Sequence, residues 1–340
     1  MAHLIGTKGL TLDQLDTILT SGGPIALSPE AAKRVKDSHQ WLMDRIAKSD
    51  APIYGVNTGF GALADKRIDA KDLATLQHNL VISHACGAGE PLAAEVVRAM
   101  LLLKVQNMAF GHSGVSPATV TRLIDHYNHE LLPVIYERGS LGASGDLAPL
   151  AHLALPLIGE GKVWMKGNMT SSREALDALG WAPLQLGPKE GLALLNGTQF
   201  MSAFAALILI KARRLAHLAD VVAALSMEAF ACSTEPFIDA VHQVRPHPGQ
   251  LAVAAHLRAL LAGSGIADGS KHHVQDPYSF RCVPQVHGAS RDAIAYAVQV
   301  VERELGPVTD NPPPFPDQDL IVSAGNFHVR PLAITLASPA

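Results

Sequence analysis

The chain has 340 residues, 48% of them hydrophobic and 17% charged, with 28 glycines, 22 prolines and three cysteines. That profile describes a globular chain with a large core and excludes a disordered, collagen-like or disulfide-stapled one. Lys and Arg number 27 against 31 Asp and Glu, a net charge of −4, so there is no basic stripe for a nucleic acid and none is expected as a partner.

The first eight residues, Met1 to Lys8, lack a basic region followed by an apolar core, so no secretory signal is expected. Ser28-Pro29-Glu30 supplies an N-cap, a first-turn proline and an acidic residue, and Val35, Leu42, Met43 and Ile46 follow near helical spacing; a helix is predicted to about Lys48. Asp69 opens a segment carrying Leu73, Leu76, Leu80 and Val81, Ser116-Pro117 another through Leu131, and Ser290 a third that closes at Leu305-Gly306. A helical run also covers Leu147 to Ile158. From Pro188 to Cys232 the pattern stays helical and apolar on most faces, as inside a helix bundle. Its longest apolar stretch, Phe200 to Ile210, contains Ser202 and ends at Lys211, short of the roughly 18 residues that span a bilayer. No transmembrane helix and no membrane partner are expected. His247-Pro248 and Pro312-Pro313-Pro314 read as loops, strand-like alternation is scarce, and no linker divides the chain. The expectation is a mainly α, single domain over residues 1–340 with an irregular N-terminal lobe. Cys86, Cys232 and Cys282 are odd in number and far apart, which fits reduced thiols and a cytoplasmic location.

Gly139-Ser140-Leu141-Gly142-Ala143-Ser144-Gly145-Asp146-Leu147 packs three glycines and two serines ahead of a helical run, with Asp146 as its N-cap. It is not a nucleophile elbow, because Asp146 stands where G-x-S-x-G needs glycine, and it lacks the lysine of a P-loop. The stretch resembles the active-site signature of the aromatic amino acid ammonia-lyases, most closely their histidine-selective members. The resemblance implies a long-helix bundle of the fumarase/aspartase-like architecture. It also implies that Ala143, Ser144 and Gly145 cyclise into 4-methylidene-imidazol-5-one, the nitrogen of Gly145 attacking the Ala143 carbonyl carbon with loss of two waters. Glycine beside serine allows the close backbone approach that such a closure needs.

The resemblance covers essentially the whole chain. Tyr54-Gly55-Val56-Asn57-Thr58-Gly59-Phe60-Gly61 is similar to the family's tyrosine loop, which makes Tyr54 the base that removes the β-proton. Leu195-Asn196-Gly197-Thr198-Gln199 is similar to its asparagine segment, so Asn196 is expected at the prosthetic group and the substrate carboxylate; as a bare Asn-Gly it conflicts with the helical pattern around it. In Gln275-Asp276-Pro277-Tyr278-Ser279-Phe280-Arg281-Cys282, the resemblance has Gln275 and Tyr278 lining the pocket, Tyr278 aiding ring formation and turnover, and Arg281 gripping the carboxylate. Ser323-Ala324-Gly325-Asn326-Phe327-His328 places Phe327 near the substrate, and Thr309-Asp310-Asn311-Pro312 also fits. Ser83-His84 is the pair seen in histidine-selective relatives, where an imidazole at His84 can bond the substrate imidazole.

The implied activity is elimination of ammonia from L-histidine to trans-urocanate, the opening step of histidine breakdown. The alternatives are another aromatic amino acid lyase or 2,3-aminomutase of the same chemistry, or an inactive shortened homologue that persists as a folded scaffold. The family implies a homotetramer acting on a small amino acid, and a C-terminal part, with a pocket glutamate, that has no counterpart here. Arg330 departs from the family pattern and puts a charge beside the pocket. His126 and His129, and the pair His272-His273, come without cysteine or the glutamate of a H-E-x-x-H site, so no metal is assigned.

Overall fold

A computed structural model describes residues 2–48, 51–61, 64–267, 269 and 274–337. The helices are α1 Leu12–Ser21, α2 Pro29–Lys48, α3 Leu73–His84, α4 Ala94–Ala109, α5 Pro117–Asn128, α6 Leu147–Ala154, α7 Ser172–Ala178, α8 Glu190–Leu195, α9 Gln199–Ala229, α10 Asp239–Gln243, α11 Pro248–Leu261, α12 Tyr278–Arg281, α13 Val283–Glu304 and α14 Arg330–Ala337. They divide between two compact units, residues 1–205 with 301–334, and residues 206–300 with 335–340.

In the first unit α4 is buried from Val96 onward apart from Arg98, including Lys104, Gln106 and Asn107, and packs on α1, α2 and α5. A second group, α3, α6 and α8, packs mutually. Short strands fringe these helices: a parallel pair His3–Ile5 with Ile25–Leu27, an antiparallel pair Ala88–Pro91 with Tyr136–Arg138, and a three-stranded sheet of Leu132–Pro133, Lys162–Met165 and Asn168–Ser171. With two to four residues each, these strands are too short to show an alternating pattern in the sequence.

In the second unit Met227, Cys232, Phe237, Val253, Leu257, Leu261 and Val283 form a core. Helices α9, α11 and α13 are also tied by one fully buried carboxylate. Asp220 accepts from His256 Nδ1 at 3.0 Å, His287 Nδ1 at 2.8 Å and the Arg291 guanidinium at 2.5 Å.

Local chemistry explains where the helices start. The Ser28 hydroxyl accepts from Ala31 N, and the Ser116 hydroxyl from Thr119 N, as their N-cap roles require. Asp69 precedes a 3-10 turn, Ala70–Asp72, and α3 begins only at Leu73. Ser290 does not open a helix: α13 starts at Val283, and Ser290 sits inside it with its hydroxyl turned back on Val286 O at 3.5 Å. Pro248 is the first residue of α11 rather than part of a loop, a position where its missing N–H costs nothing. The run from Leu147 is α for eight residues and then tightens to 3-10 at Leu155–Ile158, around Pro156. Residues 190–229 are long and apolar enough to cross a membrane by length and composition; 78% of the qualifying window is buried, the condition of a core helix.

Candidate active site

The tyrosine loop is anchored by its neighbours rather than by a regular element. Asn57 accepts from Ile53 N at 2.6 Å and donates to Ala51 O at 2.9 Å, and the Thr58 hydroxyl accepts from Gly55 N at 3.2 Å. Fully buried Gln77 on α3 donates to Gly55 O at 3.2 Å, while its carbonyl accepts from Leu192 N at 3.3 Å. Leu192 is the third residue of α8, so its N–H lies ahead of the helical ladder, and Gln77 supplies the acceptor the helix lacks. Gly55 has φ +66°, and a Cβ there would stand 2.2 Å from Leu192 Cδ2. Only glycine brings this loop onto α8.

The helical pattern from Pro188 breaks at Asn196. Helix α8 ends at Leu195, Asn196 is extended (φ −95°, ψ 127°), Gly197 has φ +150°, and α9 starts at Gln199. The break presents two helix ends to the Ala143-Ser144-Gly145 loop. Asn196 Nδ2 donates to the Ser144 carbonyl at 3.0 Å, and Asp146 N donates to Gly197 O at 2.7 Å. A Cβ on Gly145 would lie 2.8 Å from Gly197 O and 3.0 Å from Gly197 N, so the two segments are in close backbone contact.

Asp146 occupies the N-cap position of α6, yet its side chain does not cap that helix. Its carboxylate, fully buried, accepts from Ser140 Oγ at 2.7 Å and from Met201 N, in the first turn of α9, at 2.9 Å. A carboxylate at that N-terminus complements the helix dipole. Burial nevertheless pushes Asp146 up to about 6, against the opposing hydrogen bonds from Met201 and Ser140. On the other side of the break Lys104, fully buried in α4, donates to the Asn196 carbonyl at 3.0 Å and to Gln199 Oε1 at 3.4 Å. Burial lowers this ammonium to about 7. Nearby, Lys189 Nζ meets Asp310 Oδ2 and Ser113 O, and the Ser113 hydroxyl donates to Asp310 Oδ1 at 2.8 Å.

A cavity of about 380 Å³ opens over these segments, within the roughly 300–1,000 Å³ of small-molecule sites. Tyr54, Phe60, His84, Ser144, Asn196, Asn311 and Phe327 line it. His84 ends α3, and its Nδ1 lies 2.9 Å from Leu80 O. The Ser83 hydroxyl also lies 3.1 Å from Nδ1, so both contacts fall on that nitrogen, and with Nδ1 donating to the carbonyl Nε2 is left for a ligand. Asn311 is fixed by accepting from Ala324 N at 2.6 Å and donating to Ser323 Oγ at 3.2 Å.

Five of the expected residues, Tyr54, His84, Ser144, Asn196 and Phe327, therefore share one cavity, and Ala143 and Gly145 flank Ser144. Gln275, Tyr278 and Arg281 are not in its lining and belong to the second unit. There Gln275 is exposed, Tyr278 opens α12 with 72% exposure, and Arg281 Nε donates to Asp276 O at 2.8 Å. Arg330 is exposed and lines a neighbouring cavity with Ala143, Met201 and Val329. Buried His126 packs against Trp181, bonds Arg122 O at 2.9 Å, and is lowered by burial to about 4. His272 and His273 lie outside the described residues. Gln77, Lys104 and Asn311 were not singled out from the sequence as site residues. Lys104 carries the one available signal, a lone charge inside the otherwise apolar run Met100 to Val105.

Long helices around a glycine-rich loop, a broken helix and a tyrosine turn define a class. The chain belongs to the aromatic amino acid lyase family, whose model matches residues 10–338. It is 48% identical over 335 residues to histidine ammonia-lyase of Myxococcus xanthus, covering 98% of this chain and 66% of that protein. The chain thus spans just under two thirds of the length of the curated relatives it matches. Among solved structures, phenylalanine aminomutase of Pantoea agglomerans superposes with a TM-score of 0.93 at 31% identity, covering 98% of this chain and 68% of that one. Histidine ammonia-lyase of Trypanosoma cruzi superposes with a TM-score of 0.89 at 39% identity, covering 99% and 63%.

Proposed function

We propose that this chain acts in the elimination of ammonia from L-histidine to give trans-urocanate, with Ala143, Ser144 and Gly145 cyclised to 4-methylidene-imidazol-5-one. The reading is carried by the single cavity that holds Tyr54, His84, Ser144, Asn196 and Phe327. Relatives named histidine ammonia-lyase, 45–49% identical across nearly the whole chain, support it.

The residues present fit the prosthetic group. Gly145 has φ +85° and no room for a Cβ, and the one buried acceptor without a partner on Asn196, its Oδ1, lies in the same cradle. Closure forms a bond from Gly145 N to the Ala143 carbonyl carbon. That oxygen leaves as water, and the Ser144 hydroxyl leaves as a second water with the hydrogen on its Cα. Once formed, the group supplies an electrophilic methylidene. Asn196 Nδ2 draws electron density toward the Ser144 carbonyl oxygen. Nε2 of His84 accepts from the substrate imidazole, which holds the β-carbon toward Tyr54, and the Tyr54 oxygen takes the β-proton. Phe327 packs on the substrate; by the family resemblance Arg281 is the residue that pairs with the substrate carboxylate, with Gln275 and Tyr278 as substrate-facing residues and Tyr278 also aiding ring closure, although none of the three lines the cavity that holds Tyr54 and His84. No metal is part of this reading; among the described residues no group of three or more His, Cys, Asp and Glu is arranged to hold one.

A homotetramer and a cytoplasmic location belong to the same reading, as does a single lyase domain over residues 1–340. On α9, Ile208, Leu215, Leu218, Val222 and Leu225 recur at spacings of seven, three, four and three, and each is 53–67% exposed. That is the seam of a helix packed against other helices, and other copies of the chain would cover it.

The test is the ultraviolet absorbance of purified protein mixed separately with L-histidine, L-phenylalanine and L-tyrosine. A conjugated acrylate growing with histidine alone is the expected result, and silence with all three refutes the reading. The superposition on a phenylalanine aminomutase shows that the same fold also serves 2,3-aminomutases, a second reading that chromatographic detection of a β-amino acid would establish.

A further inference from the structure

We propose that Lys104 is a positioning residue for the Ala143-Ser144-Gly145 loop, acting through the backbone of Asn196. The proposal rests on the reading that this loop cyclises.

Among the described residues, the oxygens within hydrogen-bond distance of Lys104 Nζ are the Asn196 carbonyl at 3.0 Å and Gln199 Oε1 at 3.4 Å. The first belongs to the break between α8 and α9, the second to the first residue of α9. No carboxylate is in direct contact: Asp310, the nearest opposite charge in effect, is already held by Lys189 and Ser113, and Asp146 by Ser140 and Met201. Burying an ammonium on amide oxygens alone is a poor source of stability, since desolvation outweighs what neutral acceptors return. Its placement makes sense as a fixed strut. The ammonium holds the carbonyl of the residue whose side-chain amide holds Ser144 O at 3.0 Å. A hydrogen bond at that length weakens steeply when its donor is displaced or tilted, so the backbone height at Asn196 decides whether the amide reaches its target. Gln199 extends the clamp, because its own amide donates to Thr309 Oγ1 at 2.9 Å and so fixes the start of α9.

The test compares the full chain with K104M, K104R and K189M. Lys189 is equally buried and also a lysine, but its partners are Asp310 and Ser113. Two readouts are taken: the mass of the proteolytic peptide bearing residues 143–145, which reports loss of two waters, and amide hydrogen exchange along the chain. K104M is expected to speed exchange across residues 192–199 by about tenfold to a hundredfold, the range for a lost hydrogen bond to a charged group, and to lower the dehydrated fraction correspondingly. K189M should keep the dehydrated fraction while loosening the segments around Ser113 and Asp310. K104R, which keeps the charge and a donor, should retain most of both properties, and it carries the comparison if K104M does not fold. Unchanged exchange over 192–199 in K104M overturns the proposal. Equal loss of dehydration in K189M overturns it too, by making the effect one of core charge, as does a folded K104R with none of the dehydrated peptide. A wild-type peptide that retains both waters refutes the cyclisation reading by itself, and the exchange pattern then decides the role of Lys104 separately.

Discussion

Replacing Gln77 with leucine removes both ends of the tie between the tyrosine loop and α8 while conserving shape. The change leaves the Gly55 carbonyl and the Leu192 N–H without partners, and both bonds are buried. Each unsatisfied buried backbone group costs about 1–3 kcal/mol, for a sum of about 2–6. The two bonds are 3.2 and 3.3 Å long, at the weak end of the accepted range, which places the expected loss near 2–3 kcal/mol. Urea unfolding measures that loss, and hydrogen exchange across residues 53–58 shows where it falls. Gln77→Glu keeps an acceptor for Leu192 but loses the donor to Gly55, so it should free the loop while sparing α8. A Gln77→Leu protein within about 0.5 kcal/mol of wild type, with unchanged exchange over 53–58, would refute the view that Gln77 fixes the loop.

Ser144→Ala removes the hydroxyl that leaves as water, so the peptide bearing residues 143–145 should keep its full mass and acrylate formation should vanish; an active variant would end the cofactor assignment. His84→Phe is expected to move preference from L-histidine toward L-phenylalanine by about tenfold or more, read as the ratio of kcat/KM values, because a substrate imidazole would lose its partner. Asp146 carries a pH signature. Burial raises it to about 6, above the ordinary carboxylate value it regains on unfolding, so its contribution to stability is full below about pH 4 and disappears as pH rises through 6. Urea midpoints of Asp146→Asn, measured from pH 4 to 7.5, should lack that decline; parallel profiles for the two proteins would show that Asp146 titrates as an ordinary carboxylate.

The helices with an amphipathic stripe and a cap are legible in the sequence: α2 and α5 begin where Ser28-Pro29 and Ser116-Pro117 place them. An N-cap serine and a mid-helix serine bonded to the i−4 carbonyl look alike in sequence, and α13 runs back past Ser290 to Val283, which packs in the second unit's core. The asparagine segment is visible as a local disagreement with the helical pattern around it, and the tyrosine and glycine-rich segments through their resemblance to the family's motifs. Their convergence is not, since it depends on Gln77 reaching from α3 to Leu192 and on Asp146 leaving its own helix for Met201. Those are long-range hydrogen bonds with no periodicity to betray them.

The gap at Asn196 to Thr198 sets local preference against use. Everything around it favours one uninterrupted rod, and an alanine at Gly197 would remove the residue least willing to join it. Such a change would meet the Gln199 side chain at 2.3 Å and draw the Asn196 amide away from Ser144. Substitutions chosen to improve helicity in this stretch should therefore gain local propensity at the expense of the contacts that hold Ser144, a conflict between helix preference and the site confined to three residues. Thermostability screens on this fold would do well to hold 196–198 fixed and search for their gains elsewhere.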